Sequence, residues 1–281
     1  MTLSVRIFNT GYTPVNGGPG WDARSTATWP SSTAILIIGA HDAILVDALM
    51  TTAQGRQLVS WIGGADTNLT NIVITHGHGD HFFGAGPVLR AYPAARLLAL
   101  NDDVIDEARL HLQSDILSNW IGWFGDQFDH AAAIPEKFGS EVLEVEGTPL
   151  NWLAVGGADG TPATVIHVAE LGTVCAGDAV YNNIHMWLWN STPESRAAWL
   201  STIDAVAALE PHTIIAGHKD PDASDDDAAR QLAQSRRYIE DFDRAVASST
   251  SASQLIDTMM NTYSDFGNPY TLFLSAHSQF G

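Results

Sequence analysis

The run of residues His76–His81, with the sequence HGHGDH, constrains this chain more than any other feature, because it directly follows the apolar stretch Asn71–Thr75. That stretch has the length and composition of a buried β-strand. Just beyond a strand the backbone stays extended, so side chains two residues apart share one face. His76 and His78 therefore point the same way, and the same spacing brings Asp80 to their side. The two intervening glycines allow a tight bend close to a small ligand.

This concentration of titratable groups indicates a metal site. Protonated imidazoles repel one another, and a buried carboxylate needs a partner. Imidazole nitrogens and carboxylate oxygens are zinc ligands, so a divalent cation would satisfy both. A solvated histidine-rich loop is the alternative, and Asp80 could also cap a following helix. We favour the metal site because four ligand-type residues occupy six positions between a strand and an apolar helix.

Composition narrows the classes of partner. The chain has 13 basic and 32 acidic residues among 281, a formal net charge of −19, which repels phosphate backbones and anionic lipids. We therefore expect a small-molecule substrate and neither nucleic acid nor membrane, although the acidity also serves solubility. Cys175 is the single cysteine, so no intrachain disulfide forms. The N-terminus lacks a signal-peptide pattern, and no apolar run approaches the ~20 residues that span a bilayer, so we expect a cytoplasmic protein.

The distribution of short apolar runs predicts an α/β fold, with one domain over residues 1–281. A strand-rich pattern with helices occupies the first hundred residues and recurs in Glu141–Gly217. Two such halves with helices outside indicate a four-layer αβ/βα sandwich. Residues 102–135 interrupt the pattern, and we expect them to form a helical cap over its edge. Strands are predicted at Ser4–Asn9, Ala34–Ile38, Ala43–Asp47, Asn71–Thr75, Arg96–Ala99, Glu141–Val145, Trp152–Val155, Thr164–Val168, Val174–Ala176 and Thr213–Ala216. Helices are predicted at Thr52–Ile62, Gly84–Tyr92, Asp102–Phe128, Pro193–Leu209, Ser224–Ser248 and Ser253–Tyr263.

The motif H-x-H-x-D-H is the signature of the metallo-β-lactamase superfamily, and His76–His81 resembles it at every position. Three further stretches resemble the same family in order and spacing. They are the strand-end aspartate of Ala43–Asp47, the Gly-Asp of Ala176–Asp178 and the histidine of Ala216–His218. The resemblance implies the metallo-β-lactamase fold and a metal-dependent hydrolase that holds two divalent metal ions. Zinc is the first expectation, with Mn or Fe as alternatives.

One family ligand differs in this chain. The family usually places a further histidine in a turn, five residues before a threonine that opens a strand. Here Thr164 opens that strand and Asp159 stands five residues earlier, so the resemblance transfers the ligand role to Asp159. An ordinary Asp-Gly turn is the alternative, and His167 lies inside the strand, where a paired core histidine is expected. The implied ligand sets are His76, His78 and Asp159 for one ion and Asp80, His81 and His218 for the other, with Asp178 bridging them.

The resemblance also implies a mechanism, in which a metal-bound hydroxide attacks an ester-type carbonyl. Asp80 or Asp178 would orient the water or take its proton. Tyr181 lies three residues past Asp178, where a tyrosine of the lactonase branch points at the substrate carbonyl oxygen. It could instead pack under the loop. His185 and Trp187 follow, and we expect them to contact the substrate, with a buried aromatic core as the alternative.

The leading function is therefore hydrolysis of a lactone or another small ester. The aromatic residues of the predicted cap, Trp120, Trp123 and Phe124, suit an apolar acyl group. β-Lactam and thioester hydrolysis are alternatives. From another class, a mononuclear iron oxygenase could use the two-histidine, one-carboxylate set that contains Asp159. A non-catalytic binding protein on the same fold is a third class, and the aromatic cap could also pair two subunits as a homodimer.

Overall fold

The computed structural model describes residues 2–21 and 25–280. Two mixed β-sheets face each other, and helices cover their outer faces. The strands are β1 Ser4–Asn9, β2 Thr13–Pro14, β3 Thr28–Trp29, β4 Thr33–Ile38, β5 Asp42–Val46, β6 Asn68–Val73, β7 Arg96–Ala99, β8 Glu136–Lys137, β9 Val142–Val145, β10 Thr148–Ala158, β11 Thr161–Val168, β12 Thr173–Gly177 and β13 Thr213–Ala216. The α-helices are α1 Thr52–Gly63, α2 Gly79–Phe82, α3 Ala85–Ala91, α4 Asp102–His111, α5 Ser114–Phe124, α6 Pro193–Ala207, α7 Ala228–Ser248, α8 Ala252–Thr262 and α9 Pro269–Phe280.

The HGHGDH run lies at the end of the first sheet where its parallel strands finish. Its strand order is β1-β4-β5-β6-β7-β8, and β5 to β8 run parallel to one another. The apolar strands β4 and β5 are buried along almost their whole length, as expected for strands that are covered on both faces. Parallel strands end at the same edge of a sheet. Asp47, which follows β5, therefore lies beside Thr75 and His76, which follow β6.

The second sheet brings the other candidate residues to the same end of the molecule. Its order is β13-β12-β11-β10-β9, with β12 and β13 parallel and the other pairs antiparallel. Asp178 follows β12, His218 comes shortly after β13, and Asp159 lies in the turn between β10 and β11. Apolar side chains from both sheets form one core between them, and Cys175 belongs to that core with 0% exposure. Cys175 is therefore enclosed by apolar side chains of both sheets.

Helices form the two outer layers. Leu58 of α1, Val88 of α3 and Val104 of α4 are buried against the first sheet. Val206 of α6 and Ala228 at the start of α7 are buried against the second sheet. The order helix, sheet, sheet, helix confirms the α/β class and the four-layer αβ/βα sandwich expected from the sequence.

Residues 102–135, which we call the cap segment, differ in detail from the expectation of continuous helical structure over Asp102–Phe128. The chain forms two helices, because Gln113 is extended, with φ −87° and ψ 155°, and separates α4 from α5. Helix α4 also packs against β7 and β11, and Val104 and Ala108 are buried in the core of the first sheet. The first half of the cap segment is therefore packed into the sandwich.

Helix α9 is absent from the elements that the sequence predicted. Pro269 occupies its first position, where the missing N–H costs little. Leu272 and Ala276 are buried with residues of α7 and α8, so tertiary packing defines this helix more than its own short apolar pattern. Among the helices in the described ranges, none combines the length and the apolar composition needed to cross a membrane.

Candidate metal centre and active-site cleft

The HGHGDH run begins as extended chain and ends as helix. His76 lies in the extended part, and α2 begins at Gly79 with His78 as its N-cap. The change of conformation turns Asp80 and His81 toward the same interior as His76, and all three are buried, with exposures of 1–3%. Four ligand-type side chains thus lie close together at the end of the first sheet.

Asp47 organises this run from the neighbouring strand. Its Oδ1 accepts the Thr75 backbone N–H at 2.8 Å, and its Oδ2 accepts the Thr75 hydroxyl at 2.9 Å. The same Oδ2 lies 2.9 Å from Nδ1 of His81. Because a carboxylate only accepts, His81 Nδ1 carries a proton, and Nε2 is the nitrogen that faces the cluster. The strand-end aspartate that the sequence singled out therefore orients the ring so that Nε2 is the nitrogen available to a ligand partner.

The first group of converging side chains contains His76, His78 and Asp159, with one donor atom from each lying within 4.8 Å of the others. Asp159 Oδ2 lies 3.0 Å from His78 Nδ1 and 3.9 Å from His76 Nε2. Asp159 adopts a left-handed backbone conformation, with φ 44°, in the β10–β11 turn. The Thr161 hydroxyl donates to its Oδ1 at 3.1 Å. The turn therefore aims the carboxylate at the two histidines, where the sequence interpretation had placed a ligand.

The second group contains Asp80, His81 and His218, again with donor atoms within 4.8 Å of one another. His218 Nε2 lies 3.2 Å and His81 Nε2 lies 4.0 Å from Asp80 Oδ2. The Trp29 indole N–H donates to the same oxygen at 2.8 Å. His218 Nδ1 is 3.3 Å from the Ser32 hydroxyl. Asp80 and His218 are therefore each held by a residue from the segment that precedes β4.

Asp178 lies between the two groups. Its Oδ1 is 3.3 Å from His81 Nε2, its Oδ2 is 3.4 Å from His218 Nε2, and it forms a third set with His76 and His81. The Tyr181 hydroxyl donates to Asp178 Oδ2 at 2.6 Å. This differs from the expectation that Tyr181 points at a substrate carbonyl, because its hydrogen is already given to a carboxylate.

Among the described residues, the centre of the cluster contains buried polar atoms that form no hydrogen bond of good geometry, although Asp159 Oδ2 and Asp178 Oδ1 lie 3.0 and 3.3 Å from histidine nitrogens. They are His76 Nε2, His81 Nε2, Asp159 Oδ2 and Asp178 Oδ1. Leaving such atoms unsatisfied in the interior costs free energy, and native proteins rarely do so without a reason. All are nitrogen or carboxylate-oxygen donors, which zinc and harder divalent metals accept. The residues present therefore fit a metal ion.

The pKa shifts within the cluster also indicate a site that accommodates a cation. Burial lowers the pKa of His78, but the Asp159 carboxylate outweighs it and raises that pKa to about 9. Burial likewise opposes protonation of His81, yet Asp47 and Asp178 raise its pKa well above the ordinary value. Burial raises the pKa of Asp159 to about 6 against the opposing charge of His78. At both histidines the carboxylates stabilise positive charge, as a cation-binding site requires.

A cleft of about 180 Å³ opens above the cluster. His78, Asp80, Asp159, Asp178 and His218 lie at its floor. Its wall is rich in indole rings, which come from Trp29, Trp120, Trp123, Trp187 and Trp189. The ring centroid of Trp29 lies 5.1–5.2 Å from those of three other tryptophans, so the indoles form a continuous surface. Trp187, which the sequence placed near a substrate, is part of this wall.

His185 is a correction to the sequence interpretation, which placed it at the substrate. It is fully buried and lies outside the cleft lining. Its Nδ1 lies 2.9 Å from the Tyr238 hydroxyl, and its backbone N–H donates to Gly267. The physical reason is the C-terminal region, where Phe266 and the segment leading into α9 cover this residue. Because α9 was not predicted, that cover was not foreseen.

The sequence reasoning did not single out Trp29, Glu107 and His111 among the residues that line the cleft. Glu107 and His111 are four residues apart on α4, and with His78 they form a further set of close donor atoms. Spacing of four on a helix places two side chains on one face, which is the signal that could have found them. Trp29 carries no comparable signal, because its role depends on the distant Asp80.

Two facing sheets with a histidine and carboxylate cluster at their common end define a class of metal-dependent hydrolases. Residues 27–218 match the family model described as the Metallo-beta-lactamase superfamily. The match covers more than half of the chain, and the chain belongs to that superfamily. This places it among metal-dependent hydrolases.

Individual relatives are distant in sequence and similar in fold. A protein described as Metallo-beta-lactamase type 2, from Bacteroides fragilis, is 24% identical over 194 residues, 67% of this chain and 69% of the relative. A metallo-beta-lactamase family protein from Thermus thermophilus superposes with a TM-score of 0.62 at 20% identity, over 98% of this chain and 92% of that chain. The metallo-beta-lactamase FIM-1 from Pseudomonas aeruginosa, in its mono-zinc form, gives 0.57 at 20% identity, over 84% and 91%. At these identities the structures establish the fold alone.

Proposed function

We propose that this protein hydrolyses an ester-type carbonyl, with a lactone or another small ester as substrate. The observation that carries the proposal is the position of the histidine and carboxylate cluster at the floor of a cleft walled by indoles. Small-molecule sites combine an apolar wall with a few convergent polar groups. The cleft, at about 180 Å³, suits a small acyl group.

Two divalent ions would be held by the chain's own groups. His76, His78 and Asp159 would bind one ion, Asp80, His81 and His218 the other, and Asp178 would bridge them. Bound there, such ions lower the pKa of water and polarise a carbonyl oxygen. Four histidines and three carboxylates leave the site close to neutral once a hydroxide is present. The carboxylate of Asp159 is a harder donor than the histidine usual in the family, so Mn and Fe become more competitive with zinc. A structural neighbour is described in a mono-zinc form.

Asp80 is the residue that we assign to proton transfer. Its Oδ2 receives the Trp29 indole N–H and faces His218, so the orientation of its carboxyl group is fixed. A carboxylate held in this way at the cleft floor can orient an attacking water and accept its proton. Tyr181 has a different first task, because its hydroxyl positions Asp178. For Tyr181 to donate to the substrate oxygen, this 2.6 Å bond has to open during the reaction.

β-Lactam hydrolysis is the second candidate, and the comparisons favour it, because relatives in sequence and structure are described as metallo-beta-lactamases. The cleft favours the ester. Among the described residues that line it, none is a lysine or an arginine. The carboxylate of a β-lactam, or the anionic carrier of many thioesters, would lack a charge-assisted partner there. A mononuclear iron oxygenase would need only the set of His76, His78 and Asp159, whereas four further donor residues adjoin that set.

A substrate panel with defined metals tests the proposal. Metal-free protein is reconstituted separately with Zn, Mn and Fe and assayed against lactones, aryl esters, thioesters and β-lactams. We expect the highest kcat/KM for a lactone or simple ester. The activity should be lost in His218→Ala and kept in His41→Ala, since His41 is exposed and far from the cluster in the fold. Higher kcat/KM for β-lactams would select the second candidate, and full activity after chelation would overturn both.

A further inference from the structure

His111 of α4 lies in the cleft lining and forms, with His78 and Glu107, a set of donor atoms within 4.8 Å of one another. Such a set could be a third metal site or a support for the loop. The hydrogen bonds of the imidazole distinguish the two.

Both ring nitrogens of His111 have partners. Nδ1 receives the Gly79 backbone N–H at 3.2 Å and the Trp120 indole N–H at 3.0 Å. Neither group can accept a hydrogen bond, so Nδ1 carries a lone pair and the ring proton is on Nε2. Nε2 then donates to Glu107 Oε1, 3.1 Å away. A protonated nitrogen is not a metal ligand, and this full pairing contrasts with the orphaned atoms of the metal centre.

The Gly79 N–H belongs to the start of a helix, where the helix itself offers no acceptor for it. Gly79 is the first residue of α2, and the N-cap residue, His78, makes no side-chain capping bond. Helix N-termini need acceptors for their first N–H groups, and the usual source is the N-cap side chain. His111 supplies this acceptor from another helix. The helix that it caps is four residues long and carries Asp80 and His81.

Helix α4 also contacts the two preceding residues of the loop. A Cβ on Gly77 would lie 2.4 Å from the Ala108 backbone nitrogen, so the helix and the loop touch without room for a side chain. The rings of His78 and His111 lie 4.6 Å apart at an interplanar angle of 32°. Three consecutive loop residues, from 77 to 79, are therefore braced by one helix.

We propose that His111 is a positioning residue. From α4 it caps the N-terminus of α2, a different helix of the same chain, and it joins Trp120 in the cleft wall to the metal-binding loop. Glu107 supports it by holding the proton on Nε2. The inference rests on the proposed function only in taking the HGHGDH loop as metal-binding. It does not depend on which substrate is hydrolysed.

The tautomer provides the first test, in the unmodified protein. Nitrogen-15 NMR of the imidazoles separates a protonated Nε2 from a protonated Nδ1. We expect the His111 proton on Nε2 both before and after metal is added. A proton on Nδ1, or loss of the Nε2 proton when metal is added, would make His111 a ligand and overturn the proposal.

Metal affinity provides the second test. His111→Asn keeps an acceptor, because Asn Oδ1 is attached to Cγ as Nδ1 is, whereas His111→Leu removes it. Titration with Zn against a chromophoric chelator should show affinity about tenfold lower in His111→Leu and within about threefold of wild type in His111→Asn. The exposed control His41→Leu should match wild type.

The outcomes separate this proposal from the proposed function. Equal Zn affinity in His111→Leu and wild type, or a stoichiometry that falls from three to two ions, would refute the positioning role. The expected affinity series in a protein that hydrolyses no ester would leave the positioning role standing and refute the substrate class.

Discussion

The contact between α4 and the HGHGDH loop predicts how much substitution of one glycine should destabilise the protein. Gly77 has no positive φ, so alanine can adopt its backbone conformation. The obstacle is space, because a Cβ at this position would lie 2.4 Å from Ala108 N and 2.6 Å from Glu107 Cβ. The shortfall is 0.6 Å against the 3.0 Å below which real Cβ atoms are essentially never found. A helix backbone, rather than a flexible side chain, has to move.

The expected cost of Gly77→Ala is that of overpacking a rigid interior. Forcing extra atoms into a packed site typically costs about 1–3 kcal/mol. At about 2 kcal/mol, the midpoint of thermal unfolding should fall by about 4–8 °C, since domains slightly smaller than this chain lose about 2–4 °C per kcal/mol. The displacement of α4 also moves His111 and the loop residues on either side of Gly77, so affinity for metal should fall as well.

The assay is thermal and denaturant unfolding of metal-free protein, because bound metal adds its own stabilisation. Gly122→Ala is the matched control. Gly122 lies in α5, a Cβ there meets nothing within 4 Å, and the substitution should stabilise the chain by about 0.5–1 kcal/mol. If Gly77→Ala proves as stable as wild type, or gains stability as Gly122→Ala does, α4 does not press on the loop as described.

Further substitutions test single links in the site. Tyr181→Phe removes the donor that lies 2.6 Å from Asp178, so Zn affinity should fall about tenfold and kcat should fall at saturating Zn; if both stay unchanged, the tyrosine only packs. In elemental analysis, Asp159→Asn should lose one of two metal equivalents, and Asp159→His should keep both. Equal metal content in wild type and both variants would mean that Asp159 only shapes the turn. Burial lowers the pKa of His185 from 6.5 to about 4 in the folded chain. Between these two pH values the unfolded chain therefore binds a proton at this residue and the folded chain does not. Stability should therefore fall as the pH drops from about 6.5 to 4, by up to about 3 kcal/mol, and urea unfolding of metal-free His185→Gln should show a flatter pH profile than wild type.

The sequence predicted which histidine and carboxylate side chains converge, because each of them follows a strong local signal. Asp47, Asp178 and His218 each come at or shortly after the end of a short apolar strand, and parallel pairing carries such ends to one edge. The strands themselves are continuous apolar runs, which are among the clearest patterns to recognise. The site is therefore encoded by elements that can be identified separately and by a topology that a resemblance supplies.

The parts that sequence reasoning missed depend on contacts between distant segments. His185 is covered by residues near Gly267, more than eighty positions away, and nothing around His185 signals that cover. Tyr181 could be placed at the centre from its offset to Asp178, but the acceptor of its hydroxyl is decided by geometry. The cap segment also breaks at Gln113, directly after a helix, α4, that packs on β7 and β11. Local propensity cannot supply these choices, because tertiary packing overrides it.

The indole wall of the cleft has two kinds of member, and the difference matters for how specificity can change. Trp29 donates to Asp80, and Trp120 donates to His111, so each indole N–H also holds a polar side chain that lines the cleft. In the described part of the chain, Trp187 makes no such bond, although it belongs to the same wall. Substitution of Trp29 or Trp120 therefore alters the metal-binding loop together with the shape of the cleft. Trp187 reaches Asp80 only through its packing against Trp29, 5.2 Å between ring centroids, so its substitution should change the shape of the cleft with less effect on the histidine and carboxylate cluster.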